Sequence, residues 1–314
     1  MNSRILITKK RIQSCKIVII FLYFITISLI LYYFNQLDRL QFDPLTIPSQ
    51  WCESQPCHPF NLLGQSFILV QPLSTVLVYL LGIISISLGI FIILIQNKQK
   101  SRTWWALALT LWGLGALSAG TSYQAFSYEI KCAGNVFCTW TSLWEIFYLL
   151  LSVGSVNAMM MSQVHSSSTG AWQKFQQWYA PINMIVYSII IVIGSVIPVR
   201  FLISFGMMIL FLAPSILIFF IHNTSRSIRF KKRVDLMLLW IWLGLGIVIG
   251  AYYLYYILEW TEILWERGIW FSDNDILHIG LIGWMIYITI TVKRHVVDLD
   301  ESISSKLNNN GRKL

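Results

Sequence analysis

Residues 179–221 read YAPINMIVYSIIIVIGSVIPVRFLISFGMMILFLAPSILIFFI, and Arg200 is the one charged side chain among them. A helical crossing needs about 20 apolar residues. The stretch is therefore too long for one span and suits two, 179–197 and 199–221, joined by a tight turn at Ile197–Arg200 that Pro198 marks. Working outward, six further stretches have the same character: 17–34, 67–95, 104–128, 140–163, 234–258 and 274–292. In lipid each must be helical, because an unpaired backbone group there costs several kcal/mol.

The composition agrees. The 314 residues are 56% hydrophobic and only 12% charged, where soluble domains carry about 25%. A cytosolic enzyme, a disordered chain and a small disulfide scaffold are all excluded. Aromatics reach 15%, with 14 Trp, enough to furnish interfacial belts. The expected fold is all-α, a polytopic bundle of eight transmembrane helices. Residues 1–34 form a cytoplasmic N-terminus and anchor helix, 35–66 an extracytoplasmic loop, 67–292 a seven-helix core, and 293–314 a cytoplasmic tail.

Net charge is +9, and its placement is informative. With the N-terminus inside, the inner segments hold 19 Lys and Arg and the outer ones 4. This predicts both termini in the cytoplasm, at the inner or plasma membrane in a bacterium. The basic run Arg229–Arg233 reads as part of that asymmetry, and no nucleic-acid partner is expected. The acids lean outward: only Asp235, Asp298, Asp300 and Glu301 fall inside. The first helix has the basic flank of a signal peptide. However, Tyr32–Leu37 offers no small-x-small cleavage site and the apolar run is long, so an uncleaved anchor is expected.

Cys52 and Cys57 fall in the first outer loop, Cys132 and Cys138 in the second, and Cys15 alone is inside. An even outer set suits disulfides in an oxidising compartment, with three connectivities open. The sequon Asn223-Thr224-Ser225 lies inside and should be silent. Residues Ser166–Gly170 read as a loop.

Ionisable residues in spans are costly and so point to function. The third, fourth, seventh and eighth helices meet near the outer leaflet, bringing Ser118, Ser122, Gln124, Glu129, Glu145, Asn274, Asp275 and His278 to one depth, with Gln71 nearby. Asn274 and His278 share a helix face. Nothing comparable is expected at the cytoplasmic ends. Plainer readings exist: Tyr and Trp as belts, Ser and Thr bonding back to their own helices, and Asp273 and Asp275 as caps of the last helix.

Several motifs, in order, resemble the CREST superfamily of seven-helix membrane hydrolases, the alkaline ceramidases in particular. They are Trp51-Cys52-Glu53, Gln71-Pro72-Leu73-Ser74, Arg102 with Ala108-Leu109-Thr110 and Gly113-x-Gly115, Ser122-Tyr123-Gln124 with Tyr128-Glu129, Leu143-Trp144-Glu145-Ile146-Phe147-Tyr148, and Asn274-x-x-x-His278-Ile279. The resemblance spans about 50–295 and implies a core with its N-terminus outside. It also implies zinc held by three His, beside a Ser and an Asp, activating water to cleave a lipid amide. This chain departs where that chemistry is decided. Gln124 and Asn274 stand where two His belong, and Trp144 stands for the Asp, with Glu145 beside it. A rebuilt metal set would draw on His278, Glu145 and Asp275.

Two functions follow. One is a metal-dependent hydrolase of lipid amides or esters at the outer leaflet. Ser122, Glu145 and Asp275 would carry the chemistry, His278, Glu145 and Asp275 the zinc, and Gln124, Glu129 and Asn274 would line the pocket. The other is a non-catalytic binder of lipid or a small molecule on the same scaffold, in which Glu145 pairs with His278. A transporter is disfavoured because the inner helix halves lack charge and no inverted repeat is visible. Haem is disfavoured because His58, His165, His222 and His295 lie at or beyond helix ends.

Overall fold

The structure, a computed structural model, describes residues 28, 32, 34–62, 64–231 and 233–299. Most of the expected first span, together with Cys15, Lys232 and the tail beyond 299, lies outside them. Seven long helices carry the fold, α1 (Pro72–Leu94), α2 (Lys100–Ala119), α4 (Leu143–Ser166), α5 (Gly170–Val196), α6 (Phe205–Phe230), α7 (Arg233–Ile257) and α9 (Asp273–His295). Two short ones, α3 (Ser127–Lys131) and α8 (Trp260–Glu266), lie in connections. Strands β1 (Cys57–Leu62) and β2 (Gln65–Val70) pair antiparallel, Cys57 opposite Val70. The all-α bundle expected from hydropathy is what forms.

Six of the seven long helices are long and apolar enough to cross a membrane; α2 is not among them. Its largest interfaces are with α1 and α4, and Trp105, Ala106, Ala108, Leu109, Gly113 and Ala116 are buried there. Neighbouring helices cover part of its surface, while Leu107 and Leu114 stay exposed. Glycine sets the α1–α2 distance. A Cβ on Gly113 would lie 2.6 Å from the Gly82 carbonyl oxygen, and one on Gly89 would lie 2.9 Å from that of Ala106. Small residues that let backbones touch are how helices associate in lipid.

Several boundaries differ from the hydropathy reading. Residues 67–70, expected to begin a span, belong to β2, and α1 starts at Pro72. The outer loop is therefore not simply extended: a hairpin closes it, and the disulfide Cys52–Cys57 fastens its base. The second bridge joins Cys132 to Cys138, so of the three connectivities the local one forms. The α5 helix begins nine residues before its expected start at 179, at Gly170 (φ 63°), after a link of residues 167–169. The α6 helix is shifted the other way, from 199–221 to Phe205–Phe230, because Arg200–Ile203 forms a 3-10 turn first. Span 104–128 is α2 followed by a π-helical turn, Gly120–Ala125, and then α3.

At the hairpin end, segment 34–50 crosses the bundle. Leu37 and Leu40 are buried. Trp140 N–H donates to Leu40 O (2.6 Å), Cys138 N–H to Thr46 O (2.8 Å), and Arg200 to Gln41 O. At the other end the chain leaving α9 is latched to the start of α2. Asp298 accepts from Lys100 N–H (2.8 Å) and Ser101 N–H (2.9 Å), capping that helix. Arg102 donates to the carbonyls of Val296, Ile95 and Lys293.

Burial works to raise the Asp298 carboxyl, but the hydrogen bonds from Ser101 and Lys100 outweigh it and hold the group below its ordinary value. Its contribution to stability is thus present above the unfolded value of 3.8 and is lost as pH falls through the lower folded value. Asp298→Ala is expected to cost about 1 kcal/mol at neutral pH. In thermal unfolding in detergent, the gap between wild type and variant should close below about pH 4.

Candidate functional site

Two buried polar clusters lie at the hairpin end. The first joins the π turn, α3 and α4. A π turn offsets the side chains that follow it, and such turns recur at functional sites. Here Ser122, inside the turn, faces Ser142 and Glu145 at the start of α4. Ser142 donates to Ser122 Oγ (2.6 Å), and Ser122 donates to Glu145 Oε1 (2.8 Å). The same oxygen lies 2.5 Å from Lys131 Nζ, and both side chains of that ion pair are 4% exposed. The ammonium also sits 4.9 Å from the Tyr123 ring and 5.8 Å from the Phe42 ring, and it donates to Trp140 O (3.4 Å).

The second cluster joins α1 and α9. Ser272 N–H donates to Asp275 Oδ2 (2.6 Å), and Ser272 Oγ donates to the same oxygen (3.1 Å). That leaves Ser272 Oγ to accept from Ser74 Oγ across the helix pair (3.1 Å). Asp275 Oδ1 has no partner, and neither has His278 Nδ1 one turn along. Both residues are buried. Gln71 introduces α1 in the left-handed region (φ 46°), its amide N–H donating to Gln55 (3.1 Å) while its Oε1 goes unmatched. A non-glycine residue held there is strained, and such strain gathers at functional sites.

The expected site residues thus divide. Ser122 and Glu145 come together, whereas Asp275 and His278 belong to the α1–α9 cluster. Gln124 is buried with Oε1 unmatched, and Asn274 is half-buried. Glu129 does not point at either cluster: its Oε1 accepts from Ile68 N–H (3.1 Å) and so holds the hairpin. The expected Glu145–His278 pair does not form, because Lys131 neutralises Glu145. Ser118 bonds back to Leu114 O (3.0 Å), and Trp144 faces outward, exposed.

These placements do not fit a zinc site of three protein ligands. Among the described residues no three His, Cys, Asp or Glu side chains converge. Glu145 is engaged by a cation, and one Asp275 oxygen caps its own helix.

Lys131 escaped the sequence reading, yet it is the one cation between Arg102 and Lys174. Its isolation among the cations was the available signal, although Glu129, two residues away, is the nearer acid in sequence. A third polar cluster, unexpected from the sequence, lies at the far end. His222 is not beyond a helix end but two turns inside α6, buried and 3.2 Å from Ser167 Oγ. Asp235, the one acid between Glu145 and Glu259, is fully buried and accepts from Arg226 Nε (2.7 Å). Asn223, the sequon residue, is fully buried. No family model, no curated protein and no solved structure matches this chain.

Removing one partner of a buried ion pair strands the other. Lys131→Met is expected to destabilise by about 3–5 kcal/mol, while the double change Lys131→Met with Glu145→Leu recovers most of that loss. Thermal unfolding of the two variants in detergent checks the order, and equal losses would refute it.

Proposed function

We propose that this multi-pass membrane protein binds the polar end of a lipid or small amphiphile between α1 and α9, at the hairpin end, without turning it over. The carrying observation is the pair of unmatched atoms, Asp275 Oδ1 and His278 Nδ1, three residues apart on one buried helix face. A buried polar atom without a partner costs about 1–3 kcal/mol, and a ligand group that donates to both removes that cost. Hydroxyl, amide and amine headgroups meet the requirement, while a phosphate facing Asp275 does not. Gln71 Oε1, at the end of the facing helix, adds a third acceptor of the same kind.

The proposed orientation places the hairpin end outside and both termini in the cytoplasm. The 19-to-4 distribution of cations supports it, as do two disulfides at that end. The site then faces the outer leaflet.

The hydrolytic reading has one observation in its favour. The Ser122 hydroxyl donates to a carboxylate at 2.8 Å, the contact through which a general base would take its proton. Against it, Lys131 already occupies the same oxygen as an ion pair.

The test is native mass spectrometry of protein extracted in mild detergent, beside Asp275→Asn and His278→Ala. The expected result is a retained lipid with a hydroxyl, amide or amine headgroup, depleted in both variants while their unfolding temperatures stay measurable. Equal retention in all three would remove the site. Stoichiometric metal and amide hydrolysis, both lost in His278→Ala, would replace this reading with the hydrolytic one.

A further inference from the structure

The interior of α5 holds a polar seam that the hairpin-end clusters do not use. Gln176, Tyr179, Asn183 and Tyr187 follow at spacings of three, four and four, which places them on one face. That face points into the bundle, with Gln176 and Tyr187 at 0% exposure and Asn183 at 7%. The opposite face carries Trp178, Ile182, Val186, Ile189 and Ile193, all exposed, as a lipid-facing stripe requires. From Gln176 to Tyr187 the seam runs about 16 Å along the helix axis.

Across from it stand α4 and α6. Ser168 donates to Gln176 Oε1. Asn183 Nδ2 donates to Tyr179 Oη (2.9 Å) and to Phe211 O (3.1 Å), and Tyr179 Oη meets Ser215 Oγ (3.1 Å). Deeper toward the far end, Asn223 Nδ2 donates to Gln163 Oε1 (3.1 Å). The consecutive helices α5 and α6 are not closely apposed along their lengths, unlike α1 and α2. These side chains, not the backbones, bridge the interval.

Interhelical polar contacts that serve only as fasteners satisfy their own atoms. These do not. Gln176 Nε2, Asn183 Oδ1, Tyr187 Oη, Gln163 Nε2, Asn223 Oδ1 and Asp235 Oδ2 are all buried and without a partner. Exchanging the two amide ends of both Gln163 and Asn223 changes nothing, since the pair still leaves one donor and one acceptor unmet. The unmet set therefore contains both donors and acceptors. Its one ion pair, Arg226 with Asp235, is self-neutralising.

We propose that this seam, closed to solvent in this structure, opens from the end opposite the hairpin to admit water and a small uncharged solute bearing hydroxyl or amide groups as far as Tyr187. Amides and hydroxyls along the seam replace such a solute's hydration in kind, donor for acceptor. An ion would find no uncompensated counter-charge. The site is separate from the one proposed between α1 and α9, and its test does not depend on that one.

The experiment is thiol labelling of the full chain in vesicles, in a Cys15→Ser background where the other four cysteines are paired. The probe is 2-hydroxyethyl methanethiosulfonate, itself small, neutral and hydroxylic, applied from the cytoplasmic side. Asn183→Cys should react at least about tenfold faster than Ile182→Cys, its lipid-facing neighbour at the same depth, because an apolar setting raises a thiol's pKa and removes thiolate. Ser215→Cys, a near-isosteric change on the facing helix, should behave like Asn183→Cys and serves if the latter folds poorly. The trimethylammonium analogue of the probe should label both seam positions far more slowly. Equal rates at Asn183→Cys, Ser215→Cys and Ile182→Cys would show a dry, fastened seam and overturn the proposal. Equal labelling by the cationic and neutral probes would overturn the stated solute class.

Discussion

Hydrocarbon offers no hydrogen-bond partner, so a polar group carried into it must be answered by another part of the same chain or by something bound. The backbone answers by forming helices throughout the apolar stretches. Side chains have no such general solution. Each buried Ser, Gln, Asp or Lys requires a particular neighbour, and meeting those requirements selects which helices lie side by side. The Lys131–Glu145 pair joins consecutive helices, while the Ser74–Ser272–Asp275 chain and the Asn223–Gln163 amides join elements far apart in sequence.

The two ends of the molecule meet this constraint differently. At the hairpin end, a disulfide-closed loop, segment 34–50 and the β-hairpin build a lid of irregular chain over the helices. Glu129 takes part by accepting from the hairpin backbone instead of facing a ligand. Under the lid lies an ion pair at 4% exposure, where the desolvation of two charges offsets much of their attraction. Such a pair fixes geometry more than it stabilises. It holds the π turn against α4 and leaves Ser122 in a single hydrogen-bonded arrangement. At the opposite end, the Asp298 and Arg102 latch fastens the exit of α9 to the entry of α2 and to Ile95 at the end of α1, so α1 and α9 are tied at both ends.

The clusters also bear on the two functions that the CREST resemblance left open. Where that family implies three His, this chain offers His278 alone. Of the acids expected to complete the set, Glu145 answers Lys131, and one oxygen of Asp275 caps α9 while the other is unmatched. Glu129 holds the hairpin. Unmatched atoms remain at several places, among them Asp275 Oδ1 and His278 Nδ1 near α1 and α9 and a mixture of donors and acceptors along α5.

Hydropathy by itself determined the class of fold, the number of core helices and the break between α5 and α6 near Pro198, because burial in lipid demands long apolar runs whatever their neighbours; it did not determine the 3-10 turn that lengthens that break. The asymmetry of the cations and the even set of four cysteines expected outside were also legible in the sequence, and those cysteines pair locally. Hydropathy misplaced helix ends wherever a capping or turn interaction overrode apolarity: at Gly170, where the helix extends into polar sequence, and at 67–70, where apolar residues form a strand. It missed the seam along α5, whose polar residues at helical spacing look in sequence like ordinary interruptions of a span. Which acid meets which cation, and which amide stays unmatched, depends on how helices rotate and how closely they approach. That is decided by small residues such as Gly82 and Gly113 and by contacts across a hundred or more residues, so only the tertiary structure could place Lys131 on Glu145 and leave His278 without it.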